Sequence, residues 1–551
     1  MPTTPTKPRA AAARPAAASA AHRPAPTAAD AAPTVDVRMY CLGTGDCFVL
    51  KFHLPGQPPF TMMIDCGSCV GDEGDFRPYI ENLAEYVGAK REAENGTPKD
   101  GKKTAKAKAP KEPWAGGNID LLVVTHEHND HVNGFAKCRD IFKGIRIKEA
   151  WFAWTEDPGD PDGKAQDLLK KREQMRKGFQ LALNRVKASR AAIEKELTDD
   201  FYNRPAFSSL TAFLTGLQTL GSINLADAGE DAPDASTEAA SGRALPGMTA
   251  IKALLKAQGT LIRYLSPGST LTLPPLPGVN FHVLGPPLDK KYIFKDGKEG
   301  RDVYKRYFSV GEGLLAMNTF ATLDTAPTQA DLPFGSEYVL TATDPTGLAG
   351  GSPYQEYTGA GNKWRAIENE WLYSAGSLAI RLNSHINNTS LALAVEFGKE
   401  GKVMLLPGDA EYGSWESWHL IEKWNKAGKD GRHFVEDLLN RTVFYKVSHH
   451  LSYNGTALEK GIMMMNSPDM ASMVTLDRSR ISVTWMKTMP NAPLLMELNR
   501  RCAGKCFIMN EVDITANKPS ALLNPTSLGT ARYQEILNGP QVLAKQYTVQ
   551  L

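Results

Sequence analysis

The chain has 551 residues, of which 42% are hydrophobic and 23% charged, and its formal net charge is +2. That length accommodates one large domain with insertions, or two to three ordinary ones, with a sizeable core. The near-neutral balance argues against a whole-molecule field aimed at nucleic acid or membrane, and no apolar run approaches the roughly 20 residues of a membrane span.

Residues 1–34 are mostly Ala, Pro and Thr, a tail with almost nothing to bury and no apolar core of a secretory signal. From 35 to 154 the chain reads as β-rich. Residues 35–53 hold two β-type runs around a turn at Gly43 to Asp46, and "FTMMIDCGS" (60–68) is a short apolar run leading into Asp65 and Gly67. Cys66-Gly-Ser-Cys69 has the spacing of a redox or zinc pair, although two small buried residues at a strand end is the plainer reading. The seven cysteines are an odd number in a long chain, which argues against a disulfide scaffold and for a reducing, cytoplasmic setting. Residues 89–113 form a Lys-rich loop, either a solvated surface segment or an arm that contacts phosphates.

Next, "NIDLLVVTHEHNDH" gives an apolar run, Ile119 to Thr125, with a histidine cluster at its end. Residues 155–265 read as a helical insertion. Leu168, Met175, Phe179, Leu183, Val186, Ile193 and Leu197 recur there at helical spacing, and 224–247 reads as a flexible loop. β structure resumes within 266–551, at "VNFHVLGPP", "TSLALAVEFG", "KVMLLPGDAE", "TVFYKVSHH", "SMVTLD" and "KCFIMNEVD", with a helix near "APLLMELNRR". Strands interleaved with helices indicate an α/β layered fold.

His126-x-His128-x-Asp130-His131 carries the chemistry. At a strand end His126 and His128 project to the same side, because side chains alternate with period two, so both imidazoles can share one cation. After the turn, Asp130 and His131 can face a second. Imidazole and carboxylate suit zinc, and also manganese or iron. The other histidines read as structural: His53 and His282 in strand-like runs, His419 packed beside Trp415 and Trp418, His433 in a polar loop and His22 in the tail.

HxHxDH after an apolar strand resembles the signature of the metallo-β-lactamase-like hydrolase superfamily, and further stations follow in order. By that resemblance Asp65, in "MMIDCGS", orients a ligand. Asp409, in "VMLLPGDAE", supplies a carboxylate that bridges two metals, and "FYKVSHHLSYNGT" is the final ligand station. "GTGDCFVLKF", "NNTSLALAVEF", "LLPGDAE" and "KVSHHLS" together resemble the branch that contains the metallo-hydrolase domain of DNA-uptake competence proteins, over about 36–150 and 279–515. The resemblance implies a four-layer αββα sandwich with a helical insertion. It also implies two divalent metals, most simply zinc, held by His126, His128, Asp130, His131, Asp409 and His449.

Two departures stand out. The usual third histidine of the first metal is missing: Asn388 falls near its position, His385 lies three residues away, and either one or a water would complete the shell. HHLS replaces HHGS, with Leu451 in place of Gly. His449 is favoured as the ligand, which leaves His450 to donate a proton, touch substrate or hold a neighbour, while Asp46 is read as an acid supporting the site. Asp130 and His450 are then the candidate catalytic residues. Two cations about 3.5–4 Å apart would acidify a shared water for attack on a phosphorus or carbonyl centre. The implied activity is hydrolysis of a phosphodiester, with nucleic acid as a candidate substrate. Hydrolysis of a small ester, lactone or thioester is the alternative, and would require an apolar cleft. A binding module with impaired chemistry is the third reading.

Overall fold

The apolar runs become strands because each can satisfy its backbone only against neighbours. The computed structural model describes residues 32–91, 113–196, 217–225 except 219, 245–303 except 299, 379–424 except 380, 433–481, 489–510 and 532–551. Of the expected tail 1–34, Lys-rich loop 89–113 and flexible loop 224–247, residues 1–31, 92–112 and 226–244 lie outside the described residues; at their margins Thr34 and Lys90–Arg91 are in strands, and Asn224, Pro246 and Gly247 are helical rather than loop.

Strands β1 (Thr34–Tyr40), β2 (Phe48–His53) and β3 (Phe60–Ile64) form an antiparallel meander. A two-residue pair, β4 (Lys90–Arg91) and β5 (Trp114–Ala115), stands apart. The sheet continues in parallel through β6 (Gly117–Val124), β7 (Ile145–Ala153) and β8 (Leu261–Leu265). A second sheet holds β9 (Thr270–Thr272), β10 (Val279–Gly285), β11 (Ala392–Phe397), β12 (Lys402–Leu406), β13 (Thr442–Lys446), β14 (Ala471–Asp477) and β15 (Cys506–Asn510). It is antiparallel up to β12 and parallel beyond. The last strands, β16 (Tyr533–Asn538) and β17 (Gln541–Gln550), return to the first sheet, whose order is β16-β17-β1-β2-β3-β6-β7-β8.

Described helices include α1 (Glu73–Tyr86), α2 (Asn129–Lys137), α3 (Arg139–Phe142), α4 (Lys164–Glu196), α5 (Pro246–Gln258), α6 (Lys290–Ile293), α7 (Tyr412–Trp418), α8 (Phe434–Asn440) and α9 (Ala492–Arg501). Helix α1 opens with a reciprocal cap between Asp72 and Asp75, which satisfies amides the helix itself cannot. The protein is thus a mixed α/β fold.

Apolar packing follows the two-residue alternation of the strands. One face of the first sheet (Leu50, Met62, Val123) meets one face of the second (Phe281, Leu393, Met404). The opposite face of the first sheet, with Met63 and Leu122, packs on Ile80, Val132 and Ile251 of α1, α2 and α5. The opposite face of the second, with Ala394 and Leu405, packs on Trp415, Leu438 and Leu494 of α7, α8 and α9.

The expected insertion 155–265 is helical at α4 and α5, but its end is strand β8, paired in parallel with β7. "LIRYL" is a short edge strand with alternating exposure, so the sheet resumes before residue 266. Among the described residues no helix is long and apolar enough to cross a membrane.

Candidate metal centre

Four strand ends deliver the site. Asp65 follows β3, Thr125 to His128 follow β6, Asp409 follows β12, and His449 and His450 follow β13. His128 caps α2, whose first turn carries Asp130 and His131. Backbone hydrogen bonds pin the segments together: Asp46 N to Asp130 O at 2.9 Å, Cys66 N to His131 O at 2.7 Å. The approach is so close that a Cβ on Gly67 would lie 2.4 Å from the Asp130 carbonyl carbon, so this position requires glycine. His126, His128, Asp130, His131, Asp409 and His450 are all buried.

The hydrogen bonds decide which imidazole nitrogens carry protons. Thr125 Oγ1 donates to Asp65 Oδ2 at 2.6 Å, so it accepts from His126 Nδ1 at 3.0 Å; Ser390 Oγ lies 3.2 Å from the same nitrogen, and with the proton on Nδ1 the Nε2 of His126 is bare. His128 Nε2 meets Asn224 Oδ1 at 3.0 Å, which leaves His128 Nδ1 bare. These two bare nitrogens face each other at 3.0 Å. Lone pairs aimed at one another at that distance repel unless a cation lies between them. Burial, reinforced by the neighbouring imidazoles, holds His126 well below its ordinary pKa. Burial holds His128 at about 3, so both are neutral, the ligating form.

A second group lies alongside. His131 Nδ1 donates to Asp65 Oδ2 at 2.8 Å, and its Nε2 lies 3.1 Å from Asp409 Oδ2. His450 Nδ1 donates to Thr475 O at 3.0 Å, and its Nε2 lies 3.2 Å from Asp409 Oδ2 and 3.3 Å from Asp130 Oδ2. One ligand atom each from Asp46, His131, Asp409 and His450 lies within 4.8 Å of the others, a buried set that can hold a metal ion. Among the described residues the buried Asp130 Oδ1 has no hydrogen-bond partner, an acceptor atom still to be satisfied. The donor set of imidazole and carboxylate therefore fits a borderline divalent cation.

Charge points the same way. Burial alone would raise the carboxyl of Asp409, but Lys446, His450 and His131 hold it well below the usual range. Burial likewise opposes ionisation of Asp130, and the His450 hydrogen bond with the His131 charge outweighs it. Burial raises Asp65, against the hydrogen bond from His131. Burial would lower His450, yet the Asp409 charge and bonds to Asp130 and Asp409 push it up to about 9. His131 is raised well above its ordinary value against the same burial, by Asp409 and Asp46. Lys446 sits in the same cage, 2.5 Å from Asp46 Oδ2 and 2.9 Å from Asp409 Oδ1. Four buried carboxylates (Asp46, Asp65, Asp130, Asp409) thus face one buried ammonium. Such a cage either protonates its imidazoles or takes up metal.

Several expected residues sit elsewhere. The ring of His450, not that of His449, faces Asp409. His449 turns to Ser452 Oγ (2.8 Å), Asn387 Nδ2 (3.2 Å) and Glu411 (3.4 Å). The reason is backbone: His449, His450 and Leu451 have φ of 48°, 49° and 67°, three left-handed residues in a row, so strand alternation no longer sets side-chain direction. Leu451, where the resembling motif has Gly, tolerates that conformation with its side chain fully buried in the helix-packed core of the second sheet. Asn388 is a local brace. Its Oδ1 accepts from Glu411 N and Ser414 Oγ, and its Nδ2 donates to Ile293 O. His385 stacks on Phe294 at 4.6 Å, and neither of its nitrogens has a hydrogen-bond partner among the described residues; burial holds its pKa at about 3. Asp65 accepts from His131 Nδ1 at 2.8 Å, and Asp46 is one of the four residues that could hold an ion. His450→Ala is expected to lower metal affinity by at least about 10-fold, and His449→Ala to leave it within about 2-fold, in chelator-competition titrations. Equal losses would contradict this assignment.

Sequence reasoning missed Lys446, Asn224, Arg172 and Arg176. Arg172 had a signal: it lies four residues after Leu168 and three before Met175, on the apolar stripe of α4. A cation there is buried, and buried cations are paired. All seven cysteines are free thiols, and burial pushes Cys66 well above its ordinary pKa, as expected of a packed small residue. No family model matches this chain, and no curated protein matches it.

Proposed function

We propose that the protein is a metal-dependent hydrolase of the metallo-β-lactamase-like type, acting on a phosphodiester, with nucleic acid as a candidate substrate. The observation that carries this is the pair of bare nitrogens on His126 and His128, 3.0 Å apart, beside the Asp46, His131, Asp409 and His450 cage. The three apolar interfaces, helices on sheet, sheet on sheet and sheet on helices, support the four-layer αββα reading. In this reading His126 Nε2 and His128 Nδ1 would hold one cation, Asp46, Asp130, His131 and His450 would hold a second, and Asp409 would be a ligand available to either. Divalent cations there supply Lewis acidity and a water of lowered pKa. Asp65 fixes the His131 ring, Lys446 fixes Asp409, and burial excludes bulk water.

An ester or lactone hydrolase would present an apolar wall. The residues that the helical insertion sets against the motif are instead Arg172, Arg176 and Asn224. Those arginines are buried and paired with Glu127 and Glu156, so they hold the motif rather than meet a substrate, and the preference for a phosphodiester rests on the family resemblance set out above. The test is metal analysis with turnover of bis-p-nitrophenyl phosphate beside a lactone panel. Two equivalents of metal, with phosphodiester turnover removed by chelator and restored by zinc or manganese, is the expected result. Lactone turnover alone would favour the second enzyme, and metal without turnover of either substrate would leave the binding module.

A further inference from the structure

The helical insertion grips the histidine motif through buried polar contacts. Glu127, between the two histidines, is ion-paired with Arg172 and, at 2.8 Å, with Arg176, both from α4. Arg172 also binds Glu156 Oε1 at 2.7 Å and Thr389 Oγ1 at 3.3 Å. From Arg176 the contacts pass to residues 220–225: its Nε donates to Asn224 O at 2.9 Å. On the other side Asn129 Nδ2 donates to Ser222 O at 2.7 Å and Leu225 O at 2.9 Å. Asn224 is therefore clamped between α4 and the first residue of α2, fully buried.

Its amide orientation is determined by its neighbours. Nδ2 faces two acceptors, Leu220 O at 2.9 Å and Asn383 Oδ1 at 3.2 Å, so the oxygen is the atom that faces His128 Nε2. Oδ1 has no proton to give, so His128 Nε2 must be the donor. We infer that Asn224 is a positioning residue of the metal centre, supplied by the insertion, which holds His128 in the Nε2–H tautomer and presents Nδ1 to a cation. A ligating imidazole ordinarily gives its second N–H to such an acceptor, and losing that partner weakens metal binding about 10- to 100-fold. Coupling runs both ways: whatever Asn224 docking adds to metal affinity, metal adds to docking of the 220–225 segment. This inference rests on the metal reading above.

The test uses the full chain. Asn224→Leu keeps the side-chain size and removes the acceptor. In competition titrations of zinc against a chromophoric chelator, one of two sites is expected to weaken about 10- to 100-fold while the other holds. In hydrogen exchange, zinc is expected to slow the 220–225 amides in the unsubstituted protein and not in Asn224→Leu. An independent readout needs no variant: 15N chemical shifts of His128 in the zinc-loaded protein should report the Nε2–H tautomer. Two sites of unchanged affinity in a folded Asn224→Leu protein, or an Nδ1–H tautomer, would overturn the inference and leave the metal reading standing. An unsubstituted protein that binds no zinc would overturn both.

Discussion

Asp409→Asn is expected to cut the metal content from two equivalents to one or fewer, and phosphodiester turnover by at least about 10²–10³-fold. The side chain joins both sheets' contributions to the site. Oδ1 accepts from Lys446 Nζ at 2.9 Å and from His449 N at 3.1 Å, while Oδ2 lies between His131 Nε2 and His450 Nε2. The amide has nearly the same shape but no charge. It would give the cations one oxygen, and it leaves Lys446 with the Asp46 carboxylate and the Gly408 carbonyl. Metal analysis by atomic emission, with circular dichroism as the folding control, reads the result. Two retained metals with normal turnover would remove Asp409 from the centre and the proposed chemistry with it.

Arg172→Met is expected to destabilise the protein by about 3 kcal/mol, at the lower end of the range for a broken buried ion pair. The low end follows from the surviving partners: Glu127 keeps Arg176 at 2.8 Å, and Glu156 keeps Lys252 at 3.0 Å. Both carboxylates remain buried, so the cost is an under-compensated charge rather than a lost contact. Denaturant unfolding of the metal-free protein measures it. Adding Glu127→Gln to Arg172→Met should recover part of the loss, since it removes one orphaned charge. A loss below about 1 kcal/mol would mean that the insertion is held by apolar packing instead.

The metal motif was legible because its geometry is local. HxH at the end of an apolar run keeps two imidazoles together in the short stretch between β6 and α2, where one nitrogen of each ring lies 3.0 Å from the other. Asp65 and Asp409 were read only through the family resemblance; Asp65 directly follows β3, and Asp409 comes in the turn after β12. The choice between His449 and His450 was not, because three successive left-handed residues turn the chain before either ring is placed. Lys446 carried no sign of its role, since a lysine closing a strand is ordinary until two carboxylates from distant segments close on it. Strands with continuous apolar runs, such as "ALAVEF", were read, whereas β8 and β16 escaped because their exposed, polar-interrupted sequences suit a sheet edge. The tie between α4 and the motif depends on pairs such as Arg172 with Glu127, 45 positions apart, which no periodicity encodes.

β1 lies between β2 and β17, and the Arg38 side chain on β1 binds Gln546 on β17, 508 positions later. At bacterial-to-eukaryotic elongation speeds, that gap corresponds to about 25–100 s of translation during which β1 has no second neighbour. Its unpaired amides, flanked by Val35, Val37 and Met39, are a template for wrong partners throughout that time. Ribosome-bound chains should therefore engage holding chaperones until residues 541–550 have been made, and chains cut short before residue 541 should aggregate rather than accumulate as soluble fragments.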